Sequence, residues 1–345
     1  MSNTLLLSRR HAGGISPYIL TLLPLAAGGV SFTFTQRGTG SVKYSTDGIT
    51  WTQFVSGQPT ATIAQNTPVY VRGSLVPIQS TTWTDAGIGT FSADGNFAVK
   101  GCLSSMLGTI NMAGSVPDYA YVGLFANCST LVDASELCVQ SGSVGKYGYA
   151  HLFDGCANLV APPTSLPALS VDAYGYNNMF MNCATMQTAP TISAISVGVW
   201  SLTAMFSGCA SIQTAPNLYA ESLPERVYSY MFSGCTSLQN APSIVALSFT
   251  GVHAMSYMFL GCSSLQVAPE LKFTAVANNL FLCHHMFENC TTLRNIKVHF
   301  TTWSSANFFG WVNNVASVGV FNCKASLPVV YGVDNIPSGW GIVNF

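Results

Sequence analysis

The residues best suited to chemistry in this chain are six histidines, His11, His151, His253, His284, His285 and His299, and eleven cysteines. A metal site or a nucleophile–base pair needs such groups at a set spacing from a second one, as in paired cysteines two residues apart. No Cys-x-x-Cys pair occurs, and no histidine stands at a motif distance from an acid or a cysteine. His284 and His285 are the best metal candidates by type, but neighbours on a strand point to opposite faces. The acids, among them Asp133, Asp154, Glu221 and Glu288, are scattered singly, and no nucleophile elbow or phosphate loop is present. These residues predict a protein that is not an enzyme, with no catalytic residue, no metal and no cofactor.

Composition narrows the partners. Only 7% of the 345 residues are charged, with 12 Lys+Arg against 13 Asp+Glu, where ordinary domains carry roughly 25%. Binding through many phosphate contacts needs clustered Lys and Arg, so nucleic acid is excluded as a partner. The surface must be solvated by Ser, Thr, Asn, Gln and Gly instead.

The cysteines do have a spacing, but it is long. Cys102, Cys128, Cys156, Cys183, Cys209, Cys235, Cys262 and Cys290 follow one another at intervals of 26, 28, 27, 26, 26, 27 and 28, leaving out Cys138, Cys283 and Cys323. A period of this length is the mark of a repeat architecture. "MFSGCASIQTAP" at 205–216 and "MFSGCTSLQNAP" at 231–242 show how closely two units agree. Three and four residues before the cysteine stand pairs such as Leu152-Phe153, Met205-Phe206 and Met258-Phe259, and three residues after it Leu159, Ile212 and Leu265. Ala-Pro follows in several units, for example Ala215-Pro216, where proline cannot donate to a ladder and marks a turn. Seven residues before the cysteine come Tyr121, Tyr149, Tyr176, Leu202, Tyr228, Met255 and Cys283, and nine before it Tyr119, Tyr147, Tyr174, Trp200, Arg226, His253 and Phe281. Their alternation predicts one short strand per unit. One such unit cannot bury itself, whereas a stack of them can; the cysteines are then reduced, buried core thiols.

The pattern "MFxxCxxLxxAP" resembles the BspA-like leucine-rich repeat over about residues 97–300, with "GNFAVKGCLSSMLGT" (95–109) as a degenerate first unit. The resemblance implies a mainly β fold: a leucine-rich-repeat solenoid of seven to eight coils with a small N-terminal all-β domain and a C-terminal cap. The expected division is 1–29 an anchoring arm, 30–78 the all-β domain, 79–300 the solenoid and 301–345 the cap. Within 30–78, "VSFTFTQ" alternates and Asp47-Gly48 is a hairpin signal. Trp303, Phe308, Phe309, Trp311 and Trp340 supply apolar surface for the cap.

Residues 8–29 have the outline of a secretory signal, two arginines and then an apolar stretch, but Pro17 and Pro24 break it. The preferred reading is an arm, with Leu5, Leu6, Leu7, Arg9 and Arg10 as anchor candidates in a segment that resembles the start of phage fibre and decoration proteins. Two functions remain. The first is a virion structural and binding protein, a head or tail fibre or decoration protein, whose partners are other virion proteins through the arm and a host-surface glycan or protein through the repeats. A homo-oligomer is compatible with it. The alternative is an exported bacterial surface adhesin, the role these repeats usually carry. The candidate ligand residues are His151, Tyr230, Tyr257 and His284, five or six positions before the cysteine. They stand near small residues eight before it (Ala120, Gly148, Gly175, Ser201, Ala254), which would leave shallow grooves.

Overall fold

The computed structural model describes residues 16, 18–80, 82–108, 111–274 and 280–345. The protein is mainly β with almost no helix, and its strands form several small sheets. The N-terminal part contains β1 (Leu20–Pro24), β2 (Phe32–Gln36), β3 (Val42–Ser45), β4 (Thr52–Gln53), β5 (Val69–Gly73), β6 (Gly89–Ala93) and β7 (Phe97–Cys102). Alternation in "SFTFTQ" puts Phe32 and Phe34 inward on β2, which pairs antiparallel with β6. Asp47 closes the β3–β4 hairpin by accepting from the Ile49 and Thr50 amides, with Gly48 at φ +72°.

Three expectations are corrected here. First, the arm does not run to residue 29. β1 lies between β5 and β7, with Leu22 opposite both Val69 and Val99, and Leu20 and Leu22 are fully buried. Its apolar run is a central strand, which explains why it looked like an export signal; the anchor candidates Leu5, Leu6, Leu7, Arg9 and Arg10 lie outside the described residues. Second, the all-β unit does not stop at 78, because β6 and β7 complete its sheets. Third, Cys102 is not the first rung of the cysteine series. It ends β7, and its parallel partner is Cys138, in β9 (Leu137–Cys138). β8 (Leu131–Asp133) also joins β7 in parallel, so the repeats begin on the sheet of the N-terminal unit.

From residue 116 each repeat hydrogen-bonds to the next. The amides of Tyr119, Tyr121, Gly123, Phe125 and Asn127 donate to the carbonyls of Lys146, Gly148, Ala150, Leu152 and Asp154, and the next repeat does the same with its successor. Intervening amides such as Leu124 and Cys128 bond back three residues, to Tyr121 and Phe125. The tyrosine segment is therefore a train of turns and not the expected strand. Its period of two in hydrogen bonding survives, which is why it resembled one. Every fourth residue is left-handed: Tyr119, Gly123 and Asn127, then Tyr147, His151 and Gly155, and so on to Phe281, His285 and Asn289. The short strand pairs lie instead in the return limb, as Ser165–Leu166 with Thr191–Ile192 and Ser222–Leu223 with Ser248–Phe249, all parallel.

The core between the limbs is built of columns. Phe125, Phe153, Phe180, Phe206, Phe232, Phe259 and Phe287 stack ring on ring at 5.3–5.7 Å, tilted by no more than 14°. Phe91 of β6 continues the column at one end and Trp311 at the other. Residues 305–314 carry the turn train one unit further, since Cys283, His285, Phe287 and Asn289 donate to Asn307, Phe309, Trp311 and Asn313. Beyond them Asn295–Lys297, Val320–Cys323 and Gly341–Asn344 form a parallel three-stranded sheet. Of the aromatic residues expected to close this end, Phe308, Trp311 and Trp340 are buried, whereas Phe309 is 53% exposed.

Candidate functional site

The thiols are more numerous than the histidines, eleven against six. All eleven are free. From Cys156 to Cys290 each Sγ–H donates to the phenylalanine carbonyl of the preceding repeat, as Cys209 to Phe180 at 3.0 Å and Cys235 to Phe206 at 3.1 Å. The thiols thus point along the stack at backbone oxygens and not at one another. Burial raises their pKa values, that of Cys235 and Cys290 to about 12. Since the thiolate is the nucleophile, these positions should be labelled only when the chain unfolds. Cys138, partly exposed, should react first; mass mapping of alkylated peptides against time checks this order, and early labelling of Cys209 would contradict it.

The residue before each cysteine from 128 to 290 is Asn127, Gly155, Asn182, Gly208, Gly234, Gly261 or Asn289, all left-handed. Asn and Gly are the residue types that tolerate this conformation, so the turn train had a sequence signal at this column. Nine residues before the cysteine no such signal exists, and five before it only Gly123 and Asn178 carry one. At most of these positions bulky side chains adopt the same φ and form two ridges of stacked rings. The ridge nine before runs Tyr119–Tyr147–Tyr174–Trp200, with successive centroids 4.4–5.8 Å apart. Arg226 continues it with its guanidinium carbon 4.7 Å from the Trp200 ring, and His253 stacks on Phe281 at 5.1 Å.

The ridge five before holds three of the ligand candidates, with His284 one position off it, and the structure separates them. Tyr230, Tyr257 and His285 stack with centroids 4.5 and 5.0 Å apart and nearly parallel planes. His151 belongs to the same column but is buried, its Nδ1 2.8 Å from Asp154 Oδ2 and its ring covered by Trp83 at 4.2 Å. It therefore offers no open face to a ligand. Trp83 comes from the N-terminal unit and lies where a Gly123 side chain would be, 3.0 Å from that position; nothing in the repeat spacing could have announced it. His284 reaches toward the next unit of the turn train, with Nε2 2.8 Å from the Ala306 carbonyl oxygen. It sits 5.7 Å from His253, and burial holds both histidines below their usual pKa. His285 Nδ1 is 2.7 Å from Glu288 Oε2, without the alignment a hydrogen bond needs.

The expected shallow grooves are absent at the small residues. Ala120, Ser201 and Ala254 are fully buried, and at Gly148 and Gly175 a side chain would collide with Val144 and Val171. They are small because the return limb packs on them. Among the described residues no group of three or more His, Cys, Asp or Glu is placed to hold a metal ion.

One ionic cluster stands near the C-terminal end. Glu270 accepts from Lys297 Nζ and meets His299 Nε2, each at 2.7 Å, and these bonds hold its carboxyl down at about 2. A carboxylate depressed in the folded state stabilises it above the unfolded pKa, near 4.5, and that contribution fades as pH falls through the folded value. Glu270→Gln should therefore flatten the fall in melting temperature between about pH 4.5 and 2, while an unchanged slope would mean that the pair contributes nothing.

No protein-family model matches the chain, and neither a curated protein nor a solved structure matches it.

Proposed function

We propose that the chain is a non-enzymatic virion structural and binding protein, a head or tail fibre or decoration protein. In this reading its repeats form a leucine-rich-repeat solenoid of the BspA-like kind, its N-terminus engages other virion proteins, and the outer ridge attaches to a host-surface glycan or protein. The observation that carries it is the outer ridge itself: stacked rings run along successive repeats on a surface with few charges. Such repeat surfaces bind by shape. Against the exported-adhesin alternative stands β1. Removal of a signal peptide ending near Gly28 would take out a buried central strand. Mass spectrometry of the N-terminus of the protein recovered from purified particles tests the reading directly. A start at Met1 or Ser2 in particle fractions supports it, and a start near Gly28 with the protein confined to cell surfaces overturns it.

The attachment face has its own test. Tyr257 is stacked on both sides, by Tyr230 and His285, so a ligand meets its edge and hydroxyl and not its faces. Tyr257→Ala is expected to weaken attachment to cells by ~1–3 kcal/mol and to lower stability by ~1–2 kcal/mol through the two lost stacks. With so few charges, attachment should vary little between low and moderate salt. A cell-binding assay at two ionic strengths reads both; unchanged binding, or a steep salt dependence, removes this face.

A further inference from the structure

From His151 onward the column five before the cysteine has one rung missing. Its side chains run His151, Asn178, Ala204, Tyr230, Tyr257, His285, and at Ala204 the side chain ends at Cβ. One face of Tyr230 is covered by Tyr257 at 4.5 Å; among the described residues no ring is stacked on the other, which looks toward Ala204. The backbone does not close up to compensate. Asn178, Ala204 and Tyr230 donate to Thr203, Ser229 and Ser256 at 2.8–3.0 Å, the same rungs as everywhere else in the train. Beneath them Phe180, Phe206 and Phe232 stay 5.6 Å apart at each step. Two full steps therefore separate Asn178 from Tyr230, and a ring placed midway would lie one ordinary stacking step from each. Ala204 is only partly buried, so the gap opens to solvent.

The protein fills its other such gap in a telling way. Where the column begins, Gly123 supplies no side chain, and an indole from outside the repeats, Trp83, lies in that place and stacks on His151 at 4.2 Å and 10°. Ala204 and Tyr230 stand to each other as Gly123 and His151 do. Arg226 belongs to the neighbouring ridge of the same repeat as Tyr230: its guanidinium lies over Trp200, and its Nε is 3.7 Å from Glu225 Oε1.

We propose that the slot over Ala204, walled by the Tyr230 ring and the Asn178 amide, binds an aromatic side chain of a partner protein. This deepens the attachment reading by naming where and by what chemistry a partner is held, and it rests on that reading for the partner's existence but not for the slot's affinity for a ring. The probe is N-acetyl-tryptophanamide, titrated into the full chain labelled with 13C at alanine methyls, with methyl β-glucoside in a parallel titration. The Ala204 methyl, assigned from its loss in Ala204→Gly, should move upfield with the amide at a dissociation constant of ~1 mM, as expected for one ring in a shallow site. Ala204→Tyr supplies the missing rung in a column that already accepts Tyr230 and Tyr257 at φ +55° and +59°. It should weaken amide binding at least ~10-fold. A silent Ala204 methyl, a response to the glucoside and not to the amide, or unaltered binding in Ala204→Tyr overturns the proposal. If Ala204→Tyr fails to fold, the titration of the unmodified chain still decides. Loss of cell attachment in Tyr257→Ala with a silent Ala204 would leave the attachment face standing and remove the slot.

Discussion

Phe206→Ala is expected to lower the unfolding free energy by ~3–5 kcal/mol, the cost of deleting a buried aromatic from a packed interior. Phe206 is fully buried and stacked on both faces, by Phe180 and Phe232, each at 5.6 Å. A cavity at this position cannot be closed by a shift of one neighbour, because both neighbours are held to the next repeat by the same backbone bonds. Its backbone carbonyl, which the substitution leaves in place, accepts the Cys235 thiol, so the loss reports on the ring and not on the cysteine column. Gln239→Ala is the control. Gln239 is exposed, and its bond to the previous repeat comes from its backbone amide, so that variant should stay within ~0.5 kcal/mol. Urea midpoints for the two variants check the order; equal losses would mean that the column does not carry the stability assigned to it.

Leu22→Asp is expected to abolish cooperative folding of the N-terminal unit. The side chain is fully buried in the middle of β1, between Val69 and Val99, where a carboxylate would have neither water nor a partner. Burying an unpaired charge costs several kcal/mol even after relaxation, comparable to a domain's whole stability. The repeats start on this sheet through β7, β8 and β9, so its loss should also bare the first repeat and promote aggregation. Thr35→Asp, on an exposed position of β2, should be tolerated. Near-ultraviolet circular dichroism and light scattering distinguish the outcomes, and a soluble, natively packed Leu22→Asp protein would show that β1 is dispensable after all.

What was legible in the sequence was whatever recurs at a fixed offset from the cysteine. The phenylalanine column, the thiols and the leucine three residues on are all buried where the periodicity placed them, because stacked repeats put equivalent side chains in equivalent environments. The direction in which the chain runs between those anchors was harder to see. A train of turns and a strand share an alternation of two, and the Asn or Gly before each cysteine is the column that distinguishes them in every repeat. That column was open to reading; the left-handed aromatic residues nine before it were not, since bulky residues seldom adopt that conformation and local propensity argues against it.

The sequence by itself determined the repeat, its length and its core, since a period of 26–28 residues with one cysteine and one phenylalanine per unit has few ways to bury its apolar side. Contacts between segments far apart in the chain decided the rest. β1 became a central strand because β5 and β7 offered edges on both sides. Cys102 was paired with Cys138 because β7 ends the N-terminal unit and begins the stack. Tertiary packing likewise assigned the candidate residues, burying His151 beneath Trp83 while stacking Tyr230, among the described residues, on Tyr257 alone. Each of these depends on what lies across a gap in space, which no spacing along the chain records.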